Sequence, residues 1–120
     1  MVIKLEIQLT KDSDVLICLL YKNYLEKRKN GCSRVKHQKQ FNNIPDIKNN
    51  FVPNWLEDDV LDCCFELGKA HLITYISADN TAMYIQLTNA GIIYMEGRFE
   101  NKINYILEYI NKIKSIITPF

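Results

Sequence analysis

The sequence predicts a single small α+β domain, and three features lead to that prediction. The chain has 120 residues, which is the length of one ordinary domain. Apolar and polar residues alternate along segment 3–9, a pattern typical of a strand, and segments 72–76 and 82–87 are two short apolar runs joined by residues that favour a turn. Between and after these segments, apolar residues recur every three or four positions, as they do in amphipathic helices. The predicted order of elements is therefore β-α-α-α-β-β-α-α.

The N-terminal half is predicted to contain one strand and two helices. The strand covers residues 3–9, and a helix capped by Asp12-Ser13-Asp14 follows from about Asp14 to Lys29. A shorter polar helix is expected from Ser33 to about Gln40. The asparagine-rich segment from Asp46 to Pro53 is predicted to be a loop.

The helix from Asn54 to Lys69 has the clearest pattern in the chain. Asn54 and Glu57 stand at the spacing of a capping box, and Gly68 marks the end of the helix. Its apolar residues form one complete stripe at helical spacing: Leu56, Val60, Cys63, Cys64 and Leu67. We therefore expect one face of this helix to be buried and the other to be open.

A hairpin and two helices are predicted to complete the chain. Strands 72–76 and 82–87 are joined by a segment with turn chemistry. A helix capped by Thr88 follows to about Glu96, where Gly97 is expected to break it. The last helix is predicted from about Glu100 to Ile117.

Two stretches carry a family resemblance. They are Val60-Leu61-Asp62-Cys63-Cys64-Phe65-Glu66-Leu67-Gly68-Lys69-Ala70-His71-Leu72-Ile73 and, after the hairpin, Leu87-Thr88-Asn89-Ala90-Gly91-Ile92-Ile93-Tyr94-Met95. Together they resemble the second half of a winged-helix domain of the small bacterial and phage type. The resemblance implies a winged-helix-like fold over residues 1–120, with the hairpin as a two-stranded wing and the N-terminal strand as an addition. It also implies binding of double-stranded DNA, transcription regulation and a C-terminal helix that dimerises.

The charge of the helix 54–69 argues against the usual mode of DNA binding. In winged-helix DNA-binding proteins the helix before the wing enters the major groove. Here that helix carries five acidic residues against Lys69, namely Glu57, Asp58, Asp59, Asp62 and Glu66. Such a surface repels phosphates instead of releasing their counterions. Trp55, Glu57, Asp58, Asp59 and Asp62 are therefore candidates for contacting a partner protein, although Trp55 can instead pack under the preceding loop with Phe51.

Basic residues are concentrated between Lys22 and Lys48, although the formal net charge of the chain is only +1. The candidate nucleic-acid contacts in this segment are Lys27, Arg28, Lys29, Arg34, Lys36 and Lys39. One interpretation is a patch that binds a nucleic-acid backbone in a non-standard orientation. The other is a solvated helical face that balances the acidic helix.

The last helix carries isoleucines at alternating spacings of three and four residues: Ile103, Ile106, Ile110, Ile113 and Ile117. This spacing is that of a coiled-coil seam over about two heptads. The stripe predicts a homodimer formed through this helix. The alternative is that the helix packs on its own domain, beneath the first helix.

No catalytic residue, metal ligand or cofactor is predicted. Cys63, Cys64 and His71 form the one Cys/His cluster, and they lack the paired Cys-x-x-Cys spacing typical of zinc sites. The cysteines also fit the buried stripe, so we expect free thiols in a reducing compartment.

The predicted function is that of a non-enzymatic, cytoplasmic winged-helix protein resembling a small DNA-binding transcriptional regulator. The alternative is a protein-interaction module or inhibitor that uses the acidic helix 54–69 and does not bind DNA. No apolar stretch approaches the ~20 residues that a membrane helix needs. No membrane contact is therefore expected.

Overall fold

The computed structural model describes residues 7–31 and 40–113, which form five helices and a three-stranded antiparallel sheet. The elements in chain order are α1 (Lys11–Lys29), β1 (Gln40–Asn42), α2 (Ile44–Phe51), α3 (Glu57–Lys69), β2 (Ile73–Ala78), β3 (Thr81–Leu87), α4 (Asn89–Phe99) and α5 (Ile103–Ile113). The predicted α+β class is confirmed. Residues 3–6 of the predicted first strand, residues 33–39 of the predicted polar helix and the end of the last helix lie outside the described residues.

α1 begins earlier than the sequence predicts and is the central helix of the core. The Thr10 side chain caps it by accepting a hydrogen bond from the Ser13 backbone N–H at 3.4 Å. Residues 12–14, predicted to cap the helix, therefore form its first turn. Residues 7–9, predicted to end a strand, form no strand. The four consecutive residues Val15–Cys18 are all fully buried, so α1 is enclosed by the rest of the domain.

The prediction of a loop from Asp46 to Pro53 is wrong, because residues 44–51 form α2. The Asn43 side chain accepts a hydrogen bond from the Asp46 backbone N–H at 3.0 Å and so caps the helix. Pro45, whose missing N–H costs nothing in a first turn, favours this start. Ile44 and Ile47 are buried on the side of the helix that faces the core. Gln40, predicted to be helical, belongs to β1.

α3 begins at Glu57, three residues later than the sequence predicts. Its N-cap is Leu56, and no side chain caps the helix there, so the predicted capping box of Asn54 and Glu57 is wrong. A turn closed by the Trp55 backbone N–H and the Val52 carbonyl, 3.0 Å apart, separates α2 from α3. Asn54 lies within this turn and is unavailable as the cap.

The sheet contains the predicted hairpin and adds one short strand, in the order β1-β3-β2. β2 and β3 pair with Ile73 opposite Leu87 and Ile76 opposite Met83. The hairpin turn is formed by Asp79 and Asn80, whose φ angles are 51° and 62°. Two consecutive left-handed residues are typical of the tight turn that matches the twist of a hairpin.

α4 begins as predicted, since the Thr88 hydroxyl accepts a hydrogen bond from the Gly91 backbone N–H at 2.8 Å. It continues through Gly97 to Phe99, so the prediction that Gly97 breaks the helix is wrong. The helix ends instead at Glu100, which adopts a left-handed conformation with a φ of 52°. α5 then packs against α1 and α4.

Candidate interaction surfaces

The acidic face of α3 is the most sharply defined charged surface among the described residues. Glu57, Asp58, Asp59 and Asp62 are all exposed. The opposite face of the same helix buries Val60, Cys63, Cys64 and Leu67 in the core. Because the apolar stripe fixes the rotation of the helix, it also fixes which carboxylates point outward. The sequence predicted the burial of these four apolar residues.

A cleft of about 210 Å³ lies at the N-terminal end of the acidic face and is lined by Asp12, Asn54, Trp55, Leu56 and Asp59. The Leu56 side chain is 69% exposed, although the sequence predicted it to be the first residue of the buried stripe. Its position as N-cap turns it away from the core. An exposed apolar side chain next to two carboxylates gives this surface a mixed apolar and acidic character.

Trp55 is only 5% exposed and belongs to the core. Trp55 therefore packs within its own domain, as the alternative interpretation held. Its ring has too little exposed area to insert into a partner protein. Its indole Nε1 is buried and has no hydrogen-bond partner among the described residues. We assign Trp55 to the wall of the cleft.

Glu66, the remaining acid of α3, takes no part in the open acidic face. Its carboxylate accepts hydrogen bonds from the backbone N–H of Thr10 at 2.7 Å, from the Thr10 hydroxyl at 2.8 Å and from the Ser13 hydroxyl at 2.8 Å. Burial raises the pKa of Glu66, but the hydrogen bonds from Thr10 and Ser13 outweigh it and hold the pKa below its ordinary value. Glu66 thus joins α3 to the start of α1.

The basic candidates are only partly within the described residues. Arg28 and Lys29 are exposed in the last turn of α1, where cations favour the helix dipole. The Lys27 ammonium lies 5.6 Å from the centre of the Phe41 ring. The remaining candidates Arg34, Lys36 and Lys39 lie outside the described residues. Of the first three candidates, Arg28 and Lys29 line a common cleft, and the complete patch stays a prediction.

The isoleucines of α5 face the interior of their own domain. Ile106 and Ile110 are buried, and Ile113 packs against the same core from its edge. Ile103 is half-buried, and Ile117 lies outside the described residues. Ile106, Ile110 and Ile113 therefore follow the alternative interpretation, in which the helix packs on its own domain. The surface that α5 leaves open carries other side chains, Tyr105 at 40% and Leu107 at 43% exposure.

A polar junction that the sequence did not predict holds three helices together. Arg98 of α4 donates to Asp14 of α1 from Nη1 at 2.6 Å and from Nη2 at 3.3 Å. The Tyr109 hydroxyl of α5 also donates to Asp14. The Arg98 guanidinium lies 5.0 Å from the centre of the Tyr109 ring and 4.9 Å from that of Phe99. These residues are too far apart in sequence for any spacing to indicate the junction.

The three described cysteines, Cys18, Cys63 and Cys64, are buried. Burial raises their pKa values to about 12, 11 and 12, so the thiols are protonated at neutral pH. His71 is exposed at the end of α3. Within residues 7–31 and 40–113, no group of three or more His, Cys, Asp or Glu side chains is arranged to hold a metal ion.

The chain matches no known protein family, no curated protein and no solved structure. Among the described helices, none is both long enough and apolar enough to cross a membrane.

Proposed function

We propose that this chain is a non-enzymatic interaction module of the winged-helix type. The order α1-β1-α2-α3-β2-β3 and the sheet order β1-β3-β2 support this assignment, because the three helices precede a hairpin that forms most of the sheet. The burial of Cys18, Cys63 and Cys64 argues against these three residues as nucleophiles, since a cysteine nucleophile requires an accessible thiolate. Fold alone does not define a partner, so the partner is argued from the surface.

We propose that the partner is a protein with a basic contact surface, bound by the acidic face of α3. The observation that carries this proposal is the exposure of Glu57, Asp58, Asp59 and Asp62 together with the apolar side chain of Leu56. Carboxylates attract a basic surface over several ångströms and select against an acidic one. The exposed leucine supplies apolar area, which protein interfaces bury and nucleic-acid backbones do not offer.

DNA binding through α3 is disfavoured by the same residues. A helix that enters the major groove passes between two phosphate backbones, and each carboxylate on it is repelled there. The hairpin offers no compensation, because its charged residue in segment 73–87 is Asp79. Both elements that contact DNA in a standard winged helix are therefore acidic here.

A second candidate function is nucleic-acid binding through the C-terminal end of α1. Arg28 and Lys29 are exposed and line a cleft of about 420 Å³ with Tyr24, Leu25, Glu96 and Asn101. This surface is distinct from the acidic face, so substitutions in each surface test the two candidate functions separately. Nucleic-acid binding through this surface is the competing proposal, a DNA-binding regulator.

Site-specific photo-crosslinking tests the proposal. A photoreactive phenylalanine analogue is placed at the exposed position Asp58, and a matched control places it at the exposed position Glu108 of α5. Each variant is irradiated in a nuclease-treated extract of the cells that produce the chain. We expect a discrete protein adduct from position 58 and not from position 108. In the position-58 protein, the substitutions Asp59→Lys and Asp62→Lys are expected to abolish that adduct.

Duplex DNA provides the competing measurement. The anisotropy of a labelled random-sequence duplex is followed at ~50 mM and ~200 mM salt. We expect no binding that depends on α3. The proposal is overturned if no position-58 adduct forms. If the duplex binds with steep salt dependence and Arg28→Glu with Lys29→Glu abolishes binding, the nucleic-acid function replaces it.

A further inference from the structure

β2 is an edge strand that lacks the usual protection against pairing with another chain. Natural edge strands are kept short, charged, bulged or interrupted by proline. The other edge of the sheet follows this rule, because β1 has three residues, an irregular register with β3, and Asn42 at a φ of 66°. β2 has six residues, Ile-Thr-Tyr-Ile-Ser-Ala, with no charge and no proline. Among the described residues no strand pairs with its outer side.

The irregularity of the hairpin lies in β3 and leaves β2 regular. Thr74 pairs with Gln86 and Ile76 pairs with Met83, so β3 uses one more residue than β2 over this interval. The extra residue lies in the part of β3 that contains Tyr84, whose φ angle is 54°. A bulge in the inner strand does not disturb the outer backbone groups of β2, which stay in an extended row.

The open face beside this edge is apolar. Ile76 is 58% exposed, and its cross-strand neighbour Met83 is 37% exposed. Directly opposite residues of an antiparallel pair point to the same face, so these two side chains form one exposed strip that runs from β2 across to β3. A strand added to β2 would cover part of this strip and pair the free backbone groups at the same time.

We propose that the occupant of this edge is β2 of a second copy of this chain, paired antiparallel about a two-fold axis. A strand without charges can pair with itself without like-charge repulsion. In the register that places Tyr75 on the axis, Thr74 of each copy lies opposite Ile76 of the other. In this arrangement the turn that carries Asp79 in one copy lies toward the start of β2 in the other copy, which the exposed residues Lys69 and His71 precede.

Charge complementarity selects a second copy over an arbitrary extended peptide. Each copy has an acid at one end of β2 and basic side chains at the other, and antiparallel pairing joins them at both ends of the contact. A two-fold contact uses the same surface patch twice, as most homodimers do. The inference goes beyond the proposed function, since it concerns the sheet edge and not the acidic face of α3. It also differs from dimerisation through α5.

Sedimentation velocity over ~1 to 200 µM protein tests the dimer, because its population depends on concentration. We expect reversible dimerisation of the full chain. Ile76→Lys places a like charge near its own copy and is expected to weaken the dimer about tenfold or more. Two matched controls add a lysine elsewhere on the surface: Ile93→Lys on α4, where the side chain is 68% exposed, and Leu107→Lys on α5. Both are expected to dimerise like the wild type.

A charge exchange tests the two-fold register. Asp79→Lys is expected to weaken the dimer, and the double substitution Asp79→Lys with Lys69→Asp is expected to restore it. Circular dichroism confirms that each variant is folded. A wild-type chain that stays monomeric at the highest concentration overturns the inference. A dimer that Leu107→Lys dissociates and Ile76→Lys does not also overturns it, and assigns the contact to α5.

Discussion

Gly91 is the residue at which two parts of the fold approach most closely. It stands in the first turn of α4 and is buried. A Cβ atom at this position would collide with the carbonyl oxygen of Leu72, just before β2. The same carbonyl accepts a hydrogen bond from the Thr88 backbone N–H at 3.1 Å. The close approach thus joins the start of α4 to the start of the hairpin.

Gly91→Ala is expected to destabilise the protein by about 2 kcal/mol, because overpacking against backbone cannot be relieved by a side-chain rotation. Gly97→Ala is the matched control in the same helix. A Cβ atom there meets nothing within 4 Å, so the greater helix propensity of alanine is expected to stabilise the protein by about 0.5 kcal/mol or more. Urea denaturation of both variants measures the difference. Equal effects of the two substitutions would contradict this account.

At single residues, the sequence predicted a role when a local pattern carried it. Thr88 was correctly predicted as a cap, because the residue type and the start of the helical pattern stand next to each other in the sequence. Asn54 was wrongly predicted as a cap, because the turn that follows α2 moves the helix start by three residues. Asp14 and Arg98 could not be paired from the sequence, since their contact is created by the packing of α1 against α4.

Among the elements, α1 and α3 are joined by a polar contact as well as by apolar packing. Glu66 accepts all three of its hydrogen bonds from the first residues of α1 and its cap. These donors stabilise the ionised carboxylate over the protonated form. The pKa of Glu66 in the folded protein is therefore below the 4.5 of the free side chain.

The contact of Glu66 is expected to be pH-dependent in a defined direction. A lowered pKa in the folded state contributes stability above pH 4.5, and this contribution is lost as the pH falls through the folded-state pKa. Glu66→Gln is expected to destabilise the protein by about 1 kcal/mol at pH 7. The difference from the wild type should shrink over the acidic range below about pH 4.5, where the folded-state carboxylate takes up its proton. Thermal unfolding across this range measures it, and a difference that grows toward low pH would refute the assignment.

The helices and strands were predictable where the apolar period was long, as in α1, α3 and the hairpin. α2 was not predicted, because eight residues with a proline and two asparagines have the composition of a loop. Its helical structure depends on the Asn43 cap and on the burial of Ile44 and Ile47 in the core. For α5 the period was predicted correctly, but the sequence alone could not distinguish burial in its own domain from burial in a dimer.

At the scale of the whole molecule, the junction of Asp14, Arg98 and Tyr109 holds the C-terminal helices to the core. The Arg98 and Asp14 side chains are 22% and 15% exposed, so the pair is largely shielded from water. Burial raises the pKa of Tyr109 to about 12, and its hydrogen bond to Asp14 acts in the same direction. The Tyr109 hydroxyl thus keeps its proton throughout the neutral range.

Arg98→Ala is expected to destabilise the protein by about 2 kcal/mol, because it leaves the shielded Asp14 carboxylate without its cation. Lys102→Ala, which removes an exposed partner of Glu100, is expected to cause no measurable change. The double substitution Asp14→Leu with Arg98→Met should recover most of the loss, since it removes both charges together. Chemical denaturation of the set measures these effects. A stable Arg98→Ala variant would show that α5 does not depend on the junction.

α1 also determines how charge is distributed across the molecule. Asp12, at its first turn, lines the cleft of the acidic face, whereas Arg28 and Lys29 end the helix. A rise of 1.5 Å per residue separates these ends by about 25 Å. The described residues therefore hold separate regions of opposite charge, although the formal net charge of the chain is only +1. Such a molecule is turned by the field of a charged partner before contact, so its association should be fast in dilute salt and slow when ions screen the field.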